Sequence, residues 1–93
     1  MEKRSIEDLI KVFDKLSHPK RLEIVLSLLN SKCCVKEMIN KINLPQATLS
    51  QHLKLLRESN LLTAKREGKK VVYCLEDEWL KDVLSCIKEK IIL

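Results

Sequence analysis

Glycine and proline are nearly absent from this chain, with one and two residues respectively among 93. A β-sandwich or barrel needs many Gly- and Pro-rich connections, so their scarcity points to helices. No apolar run approaches the roughly 20 residues that cross a bilayer, which excludes a membrane-spanning helix. The N-terminus, MEKRSIEDLI, is charged and amphipathic, the wrong pattern for a secretory signal. A cytoplasmic protein with no membrane partner is therefore expected. The four cysteines, Cys33, Cys34, Cys74 and Cys86, include no Cys-x-x-Cys pair. That removes a zinc ribbon and a thioredoxin-type site, and in a reducing compartment the four are not a disulfide framework. No base is visibly paired with a cysteine, and the length implies no deep pocket, so a small thiol enzyme is not expected.

What is present is 45% hydrophobic and 33% charged residues, the mixture of a folded globular protein. The length fits one domain, residues 1–93. A fold this small hides only about 60% of the surface its unfolded chain exposes, so self-association is a natural supplement to its stability. Eighteen Lys and Arg against 13 Asp and Glu leave a net charge of +5. Such a surplus suits a polyanion without establishing one, and the placement of the charge has to decide.

Ile6, Leu9, Ile10, Phe13 and Leu16 recur at helical spacing behind Ser5, a candidate N-cap. Ser17-His18-Pro19 interrupts the pattern, and Pro19 suits the first turn of a second helix that presents Leu22, Val25, Leu26 and Leu29 to the core. Val35, Met38, Ile39 and Ile42 mark a short third helix. Asn43-Leu44-Pro45 is a tight connection, and Pro45 starts a fourth helix with the apolar seam Leu49, Leu53 and Leu56. Asn60 follows where a left-handed residue is often needed. The period then becomes that of a β-hairpin, Leu62–Arg66 and Val71–Leu75, around the basic turn Glu67-Gly68-Lys69-Lys70. Residues 76 to 92 return to helix, with Trp79, Leu80, Val83, Leu84, Ile87 and Ile91 forming a stripe broad enough for a core and a second subunit. The order ααααββα is a mainly α (α+β) fold, a helix-turn-helix followed by a hairpin wing.

The fourth helix carries the chemistry. With its leucines inward, Gln46, Thr48, Ser50, Gln51, His52 and Lys54 lie on or beside the outer side. Hydroxyls and amides suit base edges because they both donate and accept, while lysine suits phosphate. The helix N-terminus adds unpaired N–H groups and a positive dipole. Arg66, Lys69 and Lys70 place further positive charge on the wing. Double-stranded DNA is the expected partner. The competing reading is a winged helix used as a protein-interaction module without specific DNA binding.

The blocks LSHPKRLEIVLSLL, VKEM, LPQATLSQHLKLLRESNLL and KREGKKVVYCL resemble the ArsR/SmtB family of winged-helix repressors over about residues 5 to 90. Asn60 departs from the glycine usual in that family. The resemblance implies a homodimer built through the first and last helices and bound to a palindromic operator. It also implies repression relieved when an effector binds or a thiol is modified. Two reading helices about 34 Å apart would then enter successive major grooves. Zinc-type members resemble this chain at Asp77, but Trp79 stands where they place a histidine. Arsenic-type members match Cys34 but not Lys36, and persulfide-type members place cysteines where this chain has Leu26 and, near the end, a Cys86 that falls too early. No cofactor is required by these patterns, and a thiophilic metal or metalloid, or a reactive sulfur species or oxidant, is the candidate effector class.

Cys34 is placed to cap the third helix with Glu37 three residues on, between Lys32 and Lys36. A helix N-terminus flanked by lysines favours thiolate, which predicts a reachable, low-pKa sensing thiol at Cys33 or Cys34, with Cys86 as a further candidate. The alternative is that all three are packing residues, as Cys74 on the wing is expected to be. His18 is expected to be a hydrogen-bonded helix-start residue, His52 to touch phosphate or the turn, and Trp79 to anchor a core or interface.

Overall fold

A computed structural model describes residues 3–92. Its first helix, α1 (Ile6–Leu16), begins where Ser5 closes a capping box. The Asp8 N–H donates to Ser5 Oγ at 3.1 Å, and the Ser5 N–H donates to the Asp8 carboxylate at 3.3 Å, which satisfies two otherwise orphaned donors. Next comes α2 (Pro19–Ser27), with Pro19 in its first turn and His18 as its N-cap. A strand of two residues, β1 (Cys33–Cys34), leads directly into α3 (Val35–Ile42). The three residues Asn43-Leu44-Pro45 connect α3 to α4 (Gln46–Glu58). The hairpin β2 (Thr63–Glu67) and β3 (Lys70–Cys74) precedes α5 (Glu78–Lys90), capped by Asp77. Among the described residues no helix is long and apolar enough to cross a membrane.

The order is therefore ααβααββα rather than ααααββα. The difference is β1, which pairs antiparallel with β3 (Cys33↔Tyr73, Cys34↔Val72) to make a three-stranded sheet of order β1-β3-β2. A strand of two residues has no periodicity of its own and exists only because β3 offers a free edge. Both strands of the hairpin lie one residue nearer the turn than expected: Glu67 pairs with Lys70, leaving Gly68 and Lys69 as the turn, with Gly68 at φ +63°. At the other end, Ile91 is extended instead of helical.

Ile24, Met38, Leu49, Leu53, Leu56, Leu80 and Leu84 are fully buried and join α2, α3, α4 and α5 into one core. On α2 the buried set is Ile24, Val25 and Leu26, with Leu28 just beyond, while Leu22 and Leu29 are only half-buried. The α1 seam also divides. Val12 and Leu16 turn inward with Leu9 half-buried, but Ile6, Ile10 and Phe13 face outward. The two sets differ by about a quarter turn of helix, so a single amphipathic pattern concealed two apolar faces.

Two asparagines take left-handed backbone, Asn43 (φ 57°) and Asn60 (φ 62°). At Asn60 the Asn60 N–H donates to the Arg57 carbonyl and the Leu61 N–H to the Leu56 carbonyl, the paired bonds that close a helix C-terminus. Asn60→Val should lower unfolding free energy by about 1 kcal/mol, because a β-branched residue resists this conformation. Leu53→Ala should cost about 3 kcal/mol through the cavity it leaves under α4. Urea denaturation with an unchanged slope checks both, and a loss below half of these values would show that the sites relax.

Candidate nucleic-acid interface

The helix α4 is held by its buried leucines and presents the opposite side to solvent. Gln46, Ala47, Ser50, Gln51, Lys54, Arg57 and Glu58 are exposed, while Thr48 and His52 are half-buried on its flanks. Pro45 sits at the N-cap position and supplies no side-chain acceptor, and the first turn carries no acidic residue. By contrast α1, α2 and α5 are capped by Ser5, His18 and Asp77. The positive end of α4 is thus left for an external anion. Ala47, whose side chain is a single methyl, and Arg57, on the same side as Ser50 and Lys54, also belong to this face. The polar periodicity of the helix contained the signal for both.

The fold brings together most of the predicted reading residues. Gln46, Ser50, Gln51 and Lys54 share the outward face, with Thr48 at its edge. His52 departs from expectation. Its ring packs on His18 with centroids 4.7 Å apart, and burial, followed by the charges of His18 and Arg21, pushes its pKa below the ordinary 6.5. At neutral pH it is an uncharged packing residue on the α2 side of the helix, because its position falls beside the Leu49–Leu56 seam. His18 does begin α2 as expected, its Nδ1 accepting the Lys20 N–H at 3.2 Å. The Lys20 ammonium donates to the Ile42 carbonyl at 3.1 Å and so ties α2 to the end of α3.

On the wing, Arg66, Lys69 and Lys70 are all exposed, and none has an ion-pair partner among the described residues. The neighbouring charges are engaged: Lys32 pairs with Glu67, and Lys65 with Glu76. The Lys65–Glu76 hydrogen bond holds the lysine above and the carboxylate below their usual pKa ranges. Unpaired cations therefore remain at the wing tip and at Arg57 on α4, while Lys54 lies 4.0 Å from the Glu58 carboxylate one turn on, and Lys32 and Lys65 are neutralised.

The thiols differ from the expected arrangement. Cys33 is buried, and burial pushes its pKa up despite the charge of Lys41, so it is not a low-pKa thiolate. Cys34 occupies the N-cap position of α3 but makes no side-chain cap. Its thiol instead donates to the Glu37 carboxylate at 3.2 Å, the first cause holding that carboxyl below its usual pKa. Both cysteines belong to β1 and pair with the edge of β3, a consequence of the strand that periodicity did not disclose. Cys74 is half-buried with its Sγ 3.3 Å from Thr63 Oγ1, and Cys86 is exposed on α5.

Asp77 is engaged as well. Arg4 Nη2 donates to its carboxylate at 2.6 Å, the other carboxylate oxygen caps the Leu80 N–H, and the same guanidinium lies 4.5 Å over the Trp79 ring. Among the described residues no group of three or more His, Cys, Asp or Glu is placed to hold a metal ion. The side chains present do not fit the zinc-type site.

Comparison with known proteins follows the same lines. The family described as bacterial regulatory protein, arsR family, matches residues 18–64. The chain is 39% identical over 69 residues to the HTH-type transcriptional repressor SmtB of Mycobacterium tuberculosis strain H37Rv, covering 74% of this chain and 51% of that protein. It therefore spans about half the length of that relative. It is 36% identical over 86 residues to the cadmium resistance transcriptional regulatory protein CadC homolog of Staphylococcus aureus, covering 91% of this chain and 71% of that one. The crystal structure of the transcriptional repressor BigR from Xylella fastidiosa superposes with a TM-score of 0.85 at 29% identity, covering 94% of this chain and 89% of that chain.

Burial orders the thiols by accessibility. In native protein, Cys86 should react with a thiol-specific disulfide reagent first and Cys33 only after unfolding. Mass mapping of early adducts checks this, and early modification of Cys33 would contradict its placement.

Proposed function

The chain belongs to the arsR family of bacterial regulatory proteins, and from that premise we propose that it is a sequence-specific DNA-binding transcriptional repressor, one winged helix-turn-helix domain per subunit, and not an enzyme. The observation that carries the proposal is α4, fixed by three buried leucines, with an exposed face of amides, a hydroxyl and cations and a single carboxylate, Glu58, at its C-terminal end beside Lys54. Such a helix fits a major groove, with Gln46, Ser50 and Gln51 reaching base edges and Lys54 and Arg57 reaching phosphate. Thr48 stands at the edge of the contact. The uncapped N-terminus of α4 meets the backbone, and Arg66, Lys69 and Lys70 carry the wing along it.

The working form is a homodimer on a two-fold operator. Supporting this is the unpartnered apolar face of α1, where Ile6, Ile10 and Phe13 are 75%, 60% and 53% exposed. Covering each contributes roughly 1.5–3 kcal/mol, and a second copy offers the same face in return. Val83 and Ile87 on α5 are half-buried. Phe13→Glu together with Ile10→Glu should give a folded monomer by analytical ultracentrifugation. A dimer that persists would place the interface elsewhere.

Gel shifts with genomic fragments test the DNA reading. A discrete salt-sensitive complex is expected, and its absence would favour a protein-interaction module. Ser50→Ala with Gln51→Ala should weaken the specific complex about 10- to 100-fold while leaving the circular dichroism unchanged. Lys69→Ala with Lys70→Ala should lower affinity for all duplexes and reduce the slope of log affinity against log salt by about two.

A further inference from the structure

The chain contains two histidines, and folding places one against the other across the junction between α2 and the reading helix. The rings of His18 and His52 meet at 4.7 Å with their planes tilted by 55°. Each is constrained. His18 Nδ1 accepts the Lys20 N–H, so the neutral ring carries its proton on Nε2, and a second proton would destroy the cap. His52 is half-buried midway along α4, beside the leucine seam.

The surroundings offer no compensation for added positive charge. Among the described residues, the titratable groups that bear on His52 are His18 and Arg21, and neither is a carboxylate. Arg21 follows His18 by about one turn of α2. Its guanidinium donates to the Lys15 carbonyl of α1 at 3.0 Å, and its Nε is buried without a partner. Lys20 is directed away, to the Ile42 carbonyl of α3 and the Glu23 carboxylate, both at 3.1 Å.

We propose that the His18–His52 contact is a positioning joint that sets how the reading helix sits on α2, and that it holds only while the His52 ring is neutral, so that discrimination between operator and other DNA is lost on acidification. The inference rests on the DNA-binding reading above. An unfolded or undocked His52 has the ordinary pKa of 6.5, and the docked one lies lower. Above 6.5 both states are neutral and docking is at full strength. As pH falls below that value, the undocked state takes up a proton that the docked state refuses, and docking weakens progressively towards the folded pKa. The two histidines are positioning residues, acting through the angle of α4 on the side chains that meet the bases.

Two measurements test the joint. In free protein, NMR titration of the imidazole resonances should give His52 a midpoint below 6.5. In the His18→Asn variant, which keeps an acceptor at the cap, that midpoint should rise. An unmoved midpoint overturns the coupling. On DNA, the ratio of operator to random-duplex affinity at fixed salt should fall about threefold or more between about pH 7.5 and about pH 5.5. Taking the ratio removes the general attraction of extra positive charge for phosphate. The fall should be largely abolished in His18→Asn with His52→Gln, and reduced in His18→Asn alone, which serves if the double variant fails to fold. An equal fall in wild type and variant overturns the proposal. If no duplex is preferred at either pH, the DNA reading itself has failed, and the imidazole titration alone decides whether the joint exists.

Discussion

Burial of Leu49, Leu53 and Leu56 is the constraint on which the rest depends. These side chains are at most 1% exposed and pack into the same core as Ile24, Met38, Leu80 and Leu84. Rotating α4 about its axis would expose apolar surface worth several kcal/mol, so the rotational setting is fixed by packing. Everything on the other side follows from that setting, including which amides and cations are outward and which flank His52 occupies. The three-residue turn ending in Pro45 then leaves the helix start without an acceptor, because proline brings no polar side chain to the cap.

Charge placement reinforces the geometry. The chain is basic overall, yet its cations are not equivalent. Lys65 and Lys32 are engaged by Glu76 and Glu67, whereas Arg66, Lys69, Lys70 and Arg57 form no ion pair among the described residues. An exposed ion pair adds little to stability, so the effect of the paired set is to neutralise Lys32 and Lys65 while Arg66, Lys69 and Lys70 stay unpaired. The free set lies on the wing tip and the outward side of α4, the two parts a duplex would meet. Where the positive charge is left unpaired is more informative here than the net value of +5.

The thiols show the opposite outcome, a chemical expectation undone by packing. A cysteine at a helix start between lysines is, taken locally, an activated thiol. The edge of β3 recruits that same segment as β1, and the resulting burial raises the pKa of Cys33, while the Cys34 thiol becomes a donor to Glu37. Arg4 acts likewise on Asp77, turning a residue that resembles a metal ligand into a cap and ion-pair partner.

Local pattern alone determined the five helices, the hairpin, the turn between α3 and α4, the caps at Ser5, His18 and Asn60, and the outward set Gln46, Ser50, Gln51 and Lys54. Each is set by a period of a few residues or by one residue's backbone preference. Only the tertiary structure decided that Cys33–Cys34 would be a strand, that Ile6, Ile10 and Phe13 would face outward, that Ile24 would replace Leu22 in the core, and that His52 would pack against His18. Those outcomes depend on contacts between segments distant in sequence. A period reveals that a helix has an apolar side, but not how many neighbours arrive to cover it.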